Sequence, residues 1–244
     1  VYQSHQLEFG GTKRQVLSQM SSIWDPMGFL APYVVRAKMM VQELWTLKLS
    51  WDEQLPKDFL SRWRRWMDEL KCLQEVKIPR PLLSRYECPS EFSLQVFCDA
   101  SEKAYGVVIY CRSVYSDGAI ECRFLIAKTR VAPVKPSLTI PRLELNAAVL
   151  ATRLVVKVSA ALTRPIQYVE FWSDSSIVLS WLERRITNET VFVVNRISEI
   201  EENVREIKRK KSVPAVVQWR HVRSEENASD DCTRGLHLED MTAN

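Results

Sequence analysis

Four short segments of this chain each carry a carboxylate where one pocket could use it. They are FCDAS with Asp99, PRLELNA with Glu144, WSDSS with Asp174, and ENASDD with Asp230 or Asp231. Taken singly, each has a structural explanation. Asp99 can close a turn, with Ser101 behind it able to cap locally. Glu144 can favour a helix dipole from the first turn, and Asp174, Asp230 and Asp231 can cap helices. Glu144 is the sharpest of the set. It shares a helical face with Ala148, Ala151 and Val155, and a charge on such a stripe is costly unless paired or bound to a cation. Together the acids make a different statement. Carboxylates converging on one point repel one another and hold on to protons, and divalent cations remove that repulsion. Mg²⁺ prefers carboxylate oxygens, keeps several waters and binds phosphate. Two such ions ~4 Å apart activate water and stabilise the departing oxygen in phosphodiester hydrolysis.

The elements that must position these residues change character along the chain. The first ~85 residues read as helical. A helix is expected over 34–49 and another over 51–71, with Phe59, Trp63, Trp66 and Leu70 on one stripe that reads as a packing face. Pro26 and Pro32 bracket a turn between them and an earlier helical stretch, and Asp25 in WDPMG starts that turn. Residues 77–89 carry Pro79, Pro81 and Pro89 and read as a linker. Strands are expected next, over 92–98, 105–111 and 120–127, with Ser116-Asp117-Gly118 turning the second into the third. A proline-rich loop over 131–141 leads to a strong helix over 143–162. A strand over 168–172, helices over 176–184 and 191–209, a fifth strand over 215–219 and a short helix from Asn227 follow. A meander followed by alternating helices and strands gives an α/β fold, a mixed five-stranded sheet with helices on both faces. The division expected is a helical subdomain at 1–85 and a sheet domain at 86–244.

FCDASEKAYG, IPRLELNAAVLATRL, VEFWSDSSIVLSWL and WRHVRSEENASDDCTRG, in that order, resemble the ribonuclease H region of Pao/BEL-type long-terminal-repeat retrotransposon polyproteins. The upstream VLSQMSSIWDPMGFLAPYVVRAKMMVQELW resembles the thumb or connection that follows the polymerase palm in the same elements. The resemblance implies a ribonuclease H-like fold and cleavage of the RNA strand of an RNA–DNA hybrid, leaving 3′-hydroxyl and 5′-phosphate ends. It implies two magnesium ions (Mg²⁺), with Mn²⁺ able to substitute. Asp99 would bridge both ions, Glu144 and Asp174 would hold the first with the attacking water, and Asp230 would hold the second. The retroelement spacing from Asn227 favours Asp230 over Asp231, whereas the cellular spacing would select Asp231. His221 in WRHV matches a mobile histidine that assists product release. Lys208, Arg209, Lys210 and Lys211, with Arg234, are candidates for phosphate contacts, and Arg184 and Arg185 are weaker ones. A hybrid's wide minor groove and 2′-hydroxyls would supply RNA selectivity. The other partners implied are a polymerase upstream and an integrase downstream in one Pol polyprotein, in an intracellular virus-like particle.

Bulk properties narrow the alternatives. Hydrophobic residues make up 46% of the chain and charged residues 26%, as in ordinary globular proteins. A net charge of +4 makes no general case for nucleic acid, so any such case rests on where the charge sits. No apolar run approaches the ~20 residues of a membrane helix, so no membrane partner is expected. The chain begins mid-pattern without Met or a signal peptide, as a piece of a longer polyprotein would. Six scattered cysteines without a CxxC pair favour neither zinc nor a disulfide framework. An aspartic peptidase would need paired Asp-Thr/Ser-Gly turns, but these turns read Asp-Ala-Ser and Asp-Ser-Ser and leave Glu144 unexplained. A non-catalytic connection module is the other alternative; four surviving acids argue against it. No YxDD-like polymerase motif is present.

Overall fold

Three apolar stretches separated by tight turns fold into an antiparallel meander: β1 (Glu91–Ala100), β2 (Ala104–Val114) and β3 (Ile120–Val131). Gly118, at φ +82°, supplies the left-handed residue of the β2–β3 turn. After α4 (Ile140–Ala161) comes β4 (Tyr168–Ser173), which pairs parallel to β1. After α5 (Ser176–Glu183) and α6 (Val191–Arg209), β5 (Val216–His221) pairs parallel to β4. The computed structural model describes residues 10–75, 77, 81–83, 88–183, 189–209 and 216–241. The sheet order is β3-β2-β1-β4-β5, so the fold is a mixed five-stranded α/β sheet of the ribonuclease H type. β1 is central and buried along nearly its whole length, because helices cover both faces.

On one face lies α4. Its Leu145, Ala148, Ala151 and Val155 pack against Leu94 and Val96 of β1 and Ile109 of β2. On the other face lie two helices, α2 (Ala31–Thr46) against β3 and the five-residue α7 (Asp230–Arg234) against β1 and β2. Ala31, Val108, Ala127 and Cys232 form the small core between them. The turn before α2 sits on the edge of β3. Ala127 N donates to Met27 O (2.9 Å), and a Cβ on Gly28 would lie 2.1 Å from Ala127 O. Asp25 caps that turn by accepting from Phe29 N (2.9 Å) and Leu30 N (2.8 Å), which is the turn-starting role expected of it.

Two more helices build a second core with the inner face of α2. α1 (Lys13–Ser21) opens with a capping box of Thr12 and Gln15. α3 (Lys57–Glu69) lays Phe59, Trp63 and Trp66 against Val16, Tyr33 and Leu44, so the tryptophan stripe is a packing face. Leu238, from the far end of the chain, is fully buried in the same core.

Helix starts differ from expectation at prolines: Pro32 and Pro141 read as breakers, and the helix expected over 51–71 ran through Pro56. α2 starts at Ala31 and α4 at Ile140, with Pro32 and Pro141 inside their first turns, and Pro56 is the N-cap of α3. A first-turn N–H has no partner within the helix, so proline loses nothing there and its fixed φ suits the start. α3 is accordingly shorter than the 51–71 expected. The strands run a few residues past their expected ends. Most of the expected 77–89 linker lies outside the described residues, as do Ala215 and the basic residues Arg184, Arg185, Lys210 and Lys211. No helix among the described residues is long and apolar enough to cross a membrane. All six cysteines are free.

Candidate metal centre

Parallel pairing aligns the carboxyl ends of two neighbouring strands. Phe97 of β1 sits opposite Trp172 of β4, so Asp99, next to last in β1, and Asp174, one residue past β4, leave the sheet side by side. Ligands of open α/β sheets bind at such an edge. The third acid arrives from above. Gly106 is the cross-strand partner of Asp99, and a Cβ on it would lie 3.1 Å from Cys232 Cβ. The missing side chain lets α7 settle onto the sheet and bring Asp230 down to Asp99. One carboxylate oxygen each from Asp99, Asp174 and Asp230 lie within 4.8 Å of one another. Glu144, in the second turn of α4, flanks this group and accepts from Ser175 Oγ (2.6 Å).

Hydroxyl and amide groups orient the acids. Thr233 Oγ1 donates to Asp99 Oδ2. Asp174 accepts from Ser224 Oγ (2.7 Å) and Asn227 Nδ2 (3.3 Å). Asn227 is itself buried. Its amide also donates to Cys98 O (3.2 Å), and its Oδ1 accepts from Ser229 Oγ (2.7 Å). The only cation paired with the group among the described residues is Arg234, 2.9 Å from Asp230 Oδ2.

The electrostatics follow from crowding. Burial and then the Asp99 charge push Asp230 up to about 6, against the pull of Arg234. Burial likewise raises Glu144, opposed by the Ser175 hydrogen bond and helped by the charges of Asp174 and Asp99. Asp230 Oδ1 is buried and has no hydrogen-bond partner. An orphaned carboxylate oxygen is costly. Here it sits among acids that offer only oxygen donors, the donor set that a hard divalent cation selects. The residues present therefore fit such an ion.

Asp99, Asp174 and Asp230 come together and Glu144 borders them. Asp231 is exposed on α7 and is not part of the group. His221 is the exposed last residue of β5, opposite Ser173 and so on the rim. Lys208 and Arg209 end α6 on the surface, as expected of a helix end. Arg234 pairs with Asp230 and keeps most of its side chain exposed. Four positioning side chains escaped sequence reasoning: Ser175, Ser224, Thr233 and, as an orienting amide, Asn227. Each lies within two residues of an acid in the quoted segments, but polar groups near acids are common, and only the geometry selects these. Gly106, the glycine of FCDASEKAYG, was the one legible signal of a close approach.

A mixed sheet in this order, with acids gathered at the carboxyl ends of its parallel strands, defines a ribonuclease H-like protein. The chain belongs to the Pao retrotransposon-like RNaseH-like domain family, whose model matches residues 12–175. The match includes α1 to α3 and ends before β5 and α7, so His221 and Asp230 lie beyond it. The structure is similar to the N-terminal ribonuclease H domain of Rv2228c from Mycobacterium tuberculosis. The TM-score is 0.41 at 12% identity, covering 63% of this chain and 96% of that one. It is similar to LC11 ribonuclease H1, solved with an RNA/DNA hybrid (TM-score 0.40, 13% identity, 58% and 91% covered). It is also similar to a foamy viral protease–reverse transcriptase solved with double-stranded DNA (TM-score 0.35, 11% identity). That match covers 89% of this chain but 35% of the larger protein. No curated protein matches the chain.

Proposed function

We propose that this chain is a metal-dependent endonuclease that hydrolyses the RNA strand of RNA–DNA hybrids during retrotransposon reverse transcription. The observation that carries the reading is the unpartnered, buried Asp230 oxygen inside a three-acid group. Four acids against one arginine leave an uncompensated negative site, which argues for cations and against a purely structural edge.

In this reading Asp99, Glu144, Asp174 and Asp230 hold two Mg²⁺ ions, with Mn²⁺ an adequate substitute. When bound, the ions supply a nucleophilic water at neutral pH and neutralise charge on the phosphate. The chain's own residues supply the rest. Thr233 fixes one oxygen of Asp99, and Ser224 and Asn227 fix both oxygens of Asp174, so neither acid swings to escape its neighbour. Ser175 holds one oxygen of Glu144 and leaves the other directed by that bond. Burial and the neighbouring acids raise the proton affinity of Glu144 in the metal-free site, and bound cations would relieve that repulsion. His221 on the rim exchanges a proton with the departing product. Lys208 and Arg209, with Lys210, Lys211 and Arg234, contribute salt-dependent attraction to phosphates. We further propose that residues 1–85 act as a thumb- or connection-like subdomain and 86–244 as the nuclease. Polymerase and integrase would be neighbours in the Pol polyprotein, and the setting an intracellular virus-like particle.

The test is a hybrid labelled on either strand, incubated with Mg²⁺, Mn²⁺ or EDTA. Cutting of the RNA strand alone, abolished by EDTA, is expected. Glu144→Gln should remove cleavage and leave hybrid binding. Unchanged cleavage by that variant sinks the site assignment. Hybrid binding with no cutting in any metal favours a connection module instead.

A further inference from the structure

Helix α7 has five residues, far fewer than an isolated helix needs to persist in water. It nevertheless carries Asp230, so something else must hold it. On the sheet side, Cys232 lies over Gly106 and Thr233 bonds Asp99. On the opposite side the helical layer grips the residues just beyond it. α7 closes at Gly235, at φ +86°, where a Cβ would lie 2.6 Å from Arg36 Cγ. Leu236 is then bonded at both ends of its peptide to α2: its N–H donates to Pro32 O (3.1 Å) and its carbonyl accepts from Arg36 Nη1 (3.1 Å).

Arg36 is fixed in turn by Glu69, the last residue of α3. The two pair through both guanidinium nitrogens (2.6 and 2.8 Å). Glu69 has 14% of its side chain exposed. It also accepts from Leu238 N (3.2 Å) and meets His237 Nδ1 (2.9 Å). Burial alone would raise Glu69. Arg36, His237 and the Leu238 amide outweigh it and hold the carboxyl below its ordinary range, so the pair stays ionised. Leu238 then plugs into the tryptophan core. One partly buried ion pair thus joins α2, α3 and the segment after α7.

We infer that Arg36 and Glu69 are positioning residues of the metal centre: the helical layer clamps the end of α7 and so sets where the Asp230 carboxylate stands. This rests on the metal-site reading above. The helical layer is then part of the nuclease, although none of its described residues is bonded to the acids. Groups bonded directly to metal ligands typically alter metal affinity by about 10- to 100-fold when removed, so a clamp one step further out should act near the lower end of that range.

The test uses the full chain with Glu69→Gln and, separately, Arg36→Met. Mn²⁺ binding is followed by calorimetry, backbone amides by hydrogen exchange, and the Trp63–Trp66 core by fluorescence. The expected result is a loss of about tenfold or more in affinity for the weaker-bound ion. Cleavage should return at saturating Mn²⁺. Exchange should quicken over 232–238 while the β1 amides keep their protection. Parental affinity and parental exchange in both variants overturn the inference. So does exchange that rises equally across β1 and the helical core, because the pair would then be a general scaffold element. If either variant disturbs the tryptophan fluorescence, Gly235→Ala carries the same test, since it displaces Arg36 from the α7 side. If the parent binds no Mn²⁺, the nuclease reading fails, and the exchange comparison alone decides the clamp.

Discussion

In the helical layer, buried polar groups find partners. Trp63 Nε1 donates to Gln19 Oε1 (2.7 Å), Trp66 Nε1 donates to Tyr33 O (3.2 Å), and Tyr33 Oη donates back to Trp66 O. Even the half-hidden Glu69 is matched by Arg36. At the carboxyl edge of the sheet, acids are pressed together with one arginine paired to Asp230, and a buried oxygen of Asp230 is left without a donor. Two regions of one chain with similar burial therefore differ in what they leave unsatisfied. Burial with every partner present is structure. Burial of like charges with partners missing is the pattern on which the proposed metal site rests.

That contrast can be broken or sharpened by experiment. The largest effect should come from Asp99→Asn. It keeps the shape of the edge and the Thr233 contact but removes the central charge, and cleavage should fall on the order of 10³-fold, as expected for losing several kcal/mol of ion-supplied stabilisation. Single-turnover cleavage rates beside an unchanged melting curve would show it; a parental rate would show that the edge is idle. Trp66→Ala should act the other way. Its indole is fully packed and bonded, so about 3–5 kcal/mol of stability should be lost, read from urea unfolding. Cleavage by the fraction still folded should fall only as far as the Arg36–Glu69 clamp loosens.

A smaller effect concerns pH. Asp230 binds its proton more tightly in the folded chain than in the unfolded one, because its value stands at about 6 instead of 3.8. In the metal-free protein that contribution to stability is complete below about pH 4 and is lost as pH rises through about 6. Metal binding has the opposite dependence and should weaken below about pH 6, as the protonated carboxylate stops serving as a ligand. The smallest effect follows. Asp230→Asn should stabilise the metal-free chain at pH 7 by about 1 kcal/mol, a modest gain because solvent screens a partly open carboxylate. It should also abolish binding of the second ion. Thermal melts with and without Mn²⁺ report both; a variant less stable than the parent without metal would show that Asp230 is not under strain.

Much of the fold was legible because it is written in local periods. The alternation in 92–98 and 105–111, the Asp117-Gly118 turn and the apolar stripe of α4 each reflect backbone geometry over a few residues. The tryptophan stripe read correctly as core for the same reason. Pro32 and Pro141 read as breakers, and the expected 51–71 helix ran through Pro56, because proline ends one helix and begins another with the same chemistry and the pattern around it does not say which.

The sequence by itself determined that four acids stand at the ends of apolar elements, in an order that a metal-dependent nuclease would need. Only the tertiary structure decided that Asp230 and not Asp231 joins the group, that Thr233 reaches Asp99 across 134 positions, and that Leu238 returns to the helical core. The reason is physical. A strand or helix is specified by neighbours in the chain. The convergence of side chains is specified by strand register, by the missing Cβ of Gly106 and by the pairing of Arg36 with Glu69, and these exist only once distant segments have packed.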